Sequence, residues 1–161
     1  YYARFPIARG VAGSDLLAAD YIRDRTTEND RVAVWGWNVS VNYLAGRRSA
    51  SKFGYSMPLV LGEGTELRER YRSEFLADLQ ATRPVYIVVA PQAEEVLGMS
   101  YGLAGFPALE SLVMNYYRRE AAFGQLTVYR LSRAPTCPGF DGTVGANSPG
   151  TPPSGGVAEY R

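Results

Sequence analysis

The side chains best suited to binding chemistry lie in one stretch, residues 34–48, which reads VWGWNVSVNYLAGRR. It combines flat aromatic rings, which can stack on sugars, with arginines, whose guanidinium groups match phosphate and carboxylate in a bidentate manner. Another aromatic residue follows shortly after the arginine pair. The pattern predicts a candidate binding site made of Trp37, Asn38, Tyr43, Arg47, Arg48 and Tyr55.

Each of these residue types also has a structural explanation. Aromatic rings can seal the end of a sheet against neighbouring helices, Asn38 can cap a helix, and an arginine pair after a helix can simply be solvated. Gly36 favours a break in the extended chain between the two tryptophans. We therefore expect Trp35 to be buried against a helix and Trp37 to be at least partly exposed near Tyr43 and Arg47.

The chain offers no recognisable catalytic set. It contains no histidine, which removes the commonest general base and the commonest metal ligand. Its one cysteine, Cys137, excludes an internal disulfide, a CxxC redox pair and a cysteine-based zinc site. A dinucleotide fingerprint would need GxGxxG where only Gly36 and bulky Trp37 occur. Glu94 and Glu95 are adjacent and are interpreted as solvated charge. We predict no catalytic residue, no metal and no cofactor.

Size and charge set broad limits. The 161 residues suffice for one domain with a hydrophobic core, and the formal net charge is only +1. Such a balance provides no general attraction to nucleic acid or to anionic lipid, so nucleic acid is not an expected partner. No apolar run approaches the ~18–20 residues that a bilayer-spanning helix requires.

Helices and strands are predicted to alternate along the chain. Apolar runs at 32–35 and 85–90 are typical of strands covered on both faces, and the second is expected at the centre of the sheet. A weaker strand is predicted at 50–55 and a loop at 56–64. A hairpin is expected around Gly124 and its neighbour Gln125. Helices are predicted over about 15–25, over about 41–45, after Thr65 and after Pro107.

Caps and apolar stripes refine these helices. Ser40 or Asn38 is expected to cap the short second helix, and Gly46 to end it. The buried stripes of the first and the longest helix are predicted to be Leu17, Ala18, Tyr21 and Ile22, and Leu67, Tyr71, Phe75 and Leu79.

Strands that alternate with helices predict the fold class: a layered, Rossmann-like α/β sandwich whose sheet is mostly parallel, with an antiparallel C-terminal hairpin at one edge. We expect this domain to occupy residues 12–133. Residues 1–11 are interpreted as a lead-in segment. Residues 134–161 are rich in Pro, Gly and Ser and are expected to form a mobile tail.

Several segments together resemble a known family. They are YIRDRT, RVAVWGWNVSVNYLAGRRSASKF, ELRERYRSEFLADL, PVYIVVA and YYRREAAFGQLTVYRL. In this order they resemble the soluble C-terminal domain of bacterial membrane glycosyltransferases related to the dolichyl-phosphate-mannose protein mannosyltransferases. The resemblance covers roughly residues 12–132, and V-W-G-W, Y-L-A-G-R-R and F-G-x-x-T-V-Y-R are its most distinctive parts.

The resemblance implies a supporting role. In that family the catalytic carboxylates lie in the membrane half, and no residue of this chain matches them. The implied function is a non-catalytic, extracytoplasmic (periplasmic) domain of an integral-membrane enzyme that uses a polyprenyl-phosphate sugar donor. Its implied partners are the transmembrane portion of the same polypeptide and a carbohydrate or glycolipid acceptor. The alternative is a stand-alone Rossmann-like module that binds a small ligand or a protein.

Overall fold

The computed structural model describes residues 12–91 and 102–132. The first part contains α1 (Ala12–Arg23), β1 (Arg31–Trp35), α2 (Ser40–Ala45), β2 (Arg48–Ser49), α3 (Met57–Val60), α4 (Glu66–Thr82) and β3 (Tyr86–Val89). The second contains a 3-10 turn (Leu103–Gly105), α5 (Pro107–Tyr116), β4 (Tyr117–Phe123) and β5 (Leu126–Leu131). The alternation of helices and strands predicted from the sequence is confirmed.

The five strands form one open mixed sheet in the order β2-β1-β3-β5-β4. β1 pairs in parallel with both β2 and β3, whereas β5 runs antiparallel to β3 and to β4. Four strands thus share one direction, which confirms a mostly parallel sheet with an antiparallel C-terminal hairpin. The hairpin folds back so that β5 lies beside β3, and β3 is central as predicted.

Alternating side chains of β1 and β3 build two separate cores. Ala33, Trp35, Ile87 and Val89 pack on the face that carries α3, α4 and α5. Val32, Val34, Tyr86 and Val88 pack on the opposite face, beneath α1 and α2. The result is a three-layer arrangement, because both faces of the central strands are covered by helices.

Two predicted helix boundaries are confirmed by local geometry. Gly46 has a left-handed φ of 65° and its N–H donates to Tyr43 O, while the N–H of Arg47 donates to Asn42 O. This is the double hydrogen bond that ends a helix at glycine. At the start of α4, Thr65 Oγ1 accepts from the N–H of Arg68 at 3.3 Å, so Thr65 is the N-cap.

Other local predictions are wrong. The strand predicted at 50–55 is instead the two-residue β2, Arg48–Ser49, and 50–55 bends away from it. The loop predicted at 56–64 contains α3, which forms because proline suits a first helical turn and Leu59 is fully buried.

Two leucines of the predicted apolar stripes face solvent. Leu17 is 58% exposed and Leu67 is 51% exposed. In α1 the buried stripe consists of Asp15, Ala18, Ala19 and Ile22. It is rotated by part of a turn from the predicted stripe. In α4 burial begins only after the first turns, at Phe75 and Leu79.

Within residues 12–91 and 102–132, no helix is both long enough and apolar enough to span a bilayer. The predicted lead-in segment and tail, Glu94, Glu95 and Cys137 all lie outside the described residues.

Candidate functional site

The order of the strands reverses at β1. The chain leaves β1 to form β2 on one side and later returns to form β3 on the other side. The connections lie on opposite faces, since α2 packs in one core and α3 and α4 in the other. In open α/β sheets, ligands bind in the crevice that this reversal creates at the carboxyl ends of the strands. The end of β1 is therefore the first place to look for a site.

Gly36 occupies that end and brings the backbones of β1 and β3 together. Its φ is 139°, and a Cβ at this position would lie 2.6 Å from Ala90 O and 2.7 Å from Ala90 Cβ. Its N–H donates to Ser56 Oγ at 2.9 Å, and the N–H of Ser56 donates back to Gly36 O at 3.3 Å. Only glycine fits this close approach.

The two tryptophans separate at Gly36 as predicted. Trp35 is only 1% exposed and packs against Phe75 and Phe106, with ring centroids 6.0 and 5.6 Å away. Trp37 is 39% exposed. Tyr55, which is 45% exposed, directly precedes Ser56. The contact between Gly36 and Ser56 thus brings two partly exposed aromatic residues, each adjacent in sequence to one of the pair, close to the carboxyl end of β1.

Asn38 directly follows Trp37 in the chain and has a structural role. Its side-chain amide donates to Asp15 Oδ1 at 2.7 Å, and Ser40 Oγ donates to the other carboxylate oxygen of Asp15. Both Asn38 and Asp15 are buried. The predicted cap is therefore wrong: Val39 holds the N-cap position of α2, and the polar pair ties the corner to the first turn of α1.

The remaining predicted residues lie at the amino ends of the strands, which we call the amino edge; the end that carries Gly36 is the carboxyl edge. The expectation that Trp37 lies near Tyr43 and Arg47 is therefore wrong. Tyr43, Arg47 and Arg48 line a depression of about 540 Å³ at the C-termini of α1 and α2 and at the amino ends of β1 and β2. Its other lining residues are Arg23, Glu28, Asn29, Arg31, Leu44, Ala45 and Gly46. The structure therefore divides the predicted set into two groups. Trp37, Asn38 and Tyr55 belong to the carboxyl edge, and Tyr43, Arg47 and Arg48 belong to the amino edge.

Arg47 is fully occupied by the protein itself. Its Nε donates to Thr26 Oγ1, its Nη1 to the carbonyls of Ala45 and Gly46, and its Nη2 to those of Arg23 and Thr26. These bonds use all five donors of a guanidinium group. Arg47 therefore joins the ends of α1 and α2, and ligand contact at this edge falls to its neighbour Arg48.

Sequence reasoning missed a polar cluster around Glu120. A bulge between Arg119 and Ala121 takes Glu120 out of the β4–β5 ladder, which redirects its side chain. One of its oxygens accepts from Tyr21 Oη at 3.0 Å and from Tyr86 Oη at 2.9 Å. No sequence signal marks the bulge, because alternation alone would leave Glu120 in the ladder.

The cluster shifts the pKa values of its members. Burial acts to raise the pKa of Glu120, but hydrogen bonds from Tyr86 and Tyr21 and the charge of Arg130 outweigh it, so the pKa is lowered. Burial, followed by the hydrogen bond to Glu120, raises the pKa of Tyr86 to about 12. The carboxylate and the two phenols are thus held as an ionised acceptor and neutral donors, which suits a structural link between α1 and the sheet.

We expect Glu120→Gln to flatten the acid limb of the stability curve. The lowered pKa of Glu120 adds stability above its ordinary value of 4.5, and this is lost as the pH falls through the lower folded value. Because Gln cannot titrate, the urea midpoint of the variant should depend less on pH below 4.5 than that of the wild type. Glu69→Gln, at an exposed helical position, is the matched control and should follow the wild type. Equal acid dependence of the Glu120 variant and the wild type would contradict this role.

Among residues 12–91 and 102–132, no group of three or more metal-ligating side chains comes together. Asp15 and Glu120 are not free to coordinate a metal, because their carboxylates already accept hydrogen bonds from neighbouring side chains. What the geometry presents to a partner is an aromatic surface at one edge and an arginine-lined depression at the other. The chain matches no family model, no curated protein and no solved structure.

Proposed function

We propose that this chain is a non-catalytic extracytoplasmic domain of an integral-membrane glycosyltransferase that uses a polyprenyl-phosphate sugar donor. The domain would contact the carbohydrate acceptor, or the membrane half of the same polypeptide, through its carboxyl edge. The observation that carries the proposal is that two partly exposed aromatic residues, Trp37 and Tyr55, flank the hydrogen-bonded residues Gly36 and Ser56 in sequence at the end of β1, where the strand order reverses.

The chemistry of this edge supports contact with a sugar. Trp37 and Tyr55 offer apolar ring surface together with a polar N–H or O–H, a combination that suits a partner with both C–H and hydroxyl groups. Reciprocal hydrogen bonds between Gly36 and Ser56 join the two backbone segments that carry Trp37 and Tyr55. The order β2-β1-β3 and the helices on both faces also support a Rossmann-like relationship.

A second candidate is a stand-alone Rossmann-like module that binds a small ligand. The depression at the amino edge favours it, since about 540 Å³ lies within the usual size range of ligand pockets. The gene upstream of Tyr1 separates the two candidates. Several apolar segments of ~20 residues would support the transferase, and their absence would leave the binding module.

The transferase proposal predicts a specific kinetic defect. In the full-length enzyme, Trp37→Ala should raise the KM for the acceptor about fivefold, equivalent to about 1 kcal/mol, with the KM for the donor unchanged. Met114→Ala is the matched control, because Met114 is a 56% exposed apolar side chain on α5 that belongs to neither candidate site. The 161-residue chain alone should transfer no sugar. Transfer by that chain, or an unchanged acceptor KM in the Trp37 variant, would overturn the proposal.

A further inference from the structure

The sheet contains two pairs of arginines at directly matched positions on neighbouring strands. Arg118 of β4 is in register with Arg130 of β5, and Arg31 of β1 is in register with Arg48 of β2. Neighbouring strands lie about 4.8 Å apart, so the two guanidinium groups of each pair extend from adjacent backbone positions and can approach one another. Such a pair costs stability unless a negative charge compensates it.

The first pair has its compensating charge within the protein. A carboxylate oxygen of Glu120 lies 3.4 Å from Arg118 Nη2 and 3.5 Å from Arg130 Nη1. The bulge in β4 aims this carboxylate between the two guanidinium groups. This pair shows what a satisfied cross-strand arginine pair looks like in this fold.

The second pair has no such carboxylate. Arg31 donates one side-chain hydrogen bond, to Ser49 O at 3.1 Å, and the exposed guanidinium of Arg48 has no ion pair or hydrogen bond with residues 12–91 or 102–132. Among residues 12–91 and 102–132, Glu28 is the one acidic residue that lines the depression, and no ion pair joins it to either arginine. Arg23, also in the lining, is already paired with Asp20.

The helix ends nearby do not neutralise the pair either. The C-termini of α1 and α2 carry partial negative charge on their last carbonyls. Arg47 donates hydrogen bonds to four carbonyls in this region, and Arg23 donates one to the carbonyl of Leu44 at 3.1 Å. The positive charge of Arg31 and Arg48 is therefore left to face the depression.

We propose that this depression binds a small phosphate ester, with the phosphate group between Arg31 and Arg48 in the position that Glu120 occupies in the other pair. A dianionic phosphate matches two guanidinium groups in charge and in bidentate geometry. The depression, at about 540 Å³, leaves room for an organic group beside the ring of Tyr43 and the polar side chains of Glu28 and Asn29. The site stands on its own, independent of the function proposed for the carboxyl edge.

Calorimetric titration of the 161-residue chain with inorganic phosphate and with glucose 1-phosphate, at constant ionic strength, tests the site. Both should bind, and the ester should bind more tightly because it also contacts Tyr43. Arg48→Gln and Arg31→Gln should each weaken binding about tenfold or more. Arg118→Gln is the matched control: it alters the other arginine pair and should bind as the wild type does.

A charge-reversing variant separates binding from folding. In Arg48→Glu a carboxylate takes the place of the anion, so the melting temperature without phosphate should equal or exceed that of the wild type, and added phosphate should not raise it. Binding that is absent in the wild type, or unchanged in Arg48→Gln, would overturn the proposal. Association with phosphatidylglycerol vesicles that needs Arg48, without any response to soluble phosphate, would also overturn it and assign the pair to a lipid surface.

Discussion

Val88→Asp is expected to leave the protein unfolded at room temperature. Val88 is fully buried in the central strand, paired with Val34 on one side and Val128 on the other. Its side chain lies in the hydrophobic core beneath α1 and α2. A buried unpaired charge costs several kcal/mol, comparable with the whole stability of about 5–15 kcal/mol of an ordinary domain.

Val39→Asp is the matched control for this experiment. Val39 undergoes the same chemical change, but it is exposed and occupies the N-cap position of α2. Because Asp is a favoured N-cap residue, this change should not lower the free energy of unfolding by more than about 0.5 kcal/mol. Circular dichroism and urea titration of both variants decide the matter. A folded Val88 variant with the wild-type urea midpoint would refute the central placement of β3.

Trp35→Ala is expected to reduce the free energy of unfolding by about 3–5 kcal/mol, the usual cost of removing a large aromatic side chain from a core. Trp35 is the largest fully buried side chain of the described residues, and it joins β1 to α4 through Phe75 and to the start of α5 through Phe106. The cavity would open at the meeting point of three elements. Urea unfolding followed by circular dichroism measures the loss directly.

The neighbouring tryptophan supplies the comparison. Trp37→Ala removes the same side chain from a partly exposed position, so it should cost clearly less and leave a cooperative transition with an unchanged denaturant slope. The pair of variants therefore separates the structural tryptophan from the one that faces outward. Equal losses in the two variants would mean that Trp37 also belongs to the core.

Much of the fold could be predicted from local pattern. The continuous apolar run that contains Val88 identifies a strand covered on both faces, and Gly46 identifies the end of α2. Thr65 and Pro107 mark the starts of α4 and α5 in the same way. These signals succeed because each depends on a few adjacent residues whose conformations are restricted by their own side chains. The two-residue β2 has too little sequence to carry such a signal.

The candidate site could be predicted only in part. Residue types alone suggested Trp37 and Tyr55 as rings able to contact a ligand, and both are partly exposed in the structure. The same reasoning included Asn38, whose amide is buried against Asp15. A side chain with several hydrogen-bonding atoms can bind either a ligand or a distant part of the protein. Only the positions of its partners in the folded structure distinguish the two.

The sequence by itself determined the class of this protein: an alternating α/β domain whose buried strands, helix caps and glycine stops are written in short-range patterns. Only the tertiary structure decided which member of the adjacent pair Arg47 and Arg48 joins two helices and which faces the depression. It also decided that Glu120 leaves the ladder to lie between Arg118 and Arg130, while no carboxylate of residues 12–91 or 102–132 pairs with Arg31 or Arg48. The reason is physical: these roles depend on hydrogen bonds and charges between residues far apart in the chain, whose separations are set only when the sheet and its helices pack together.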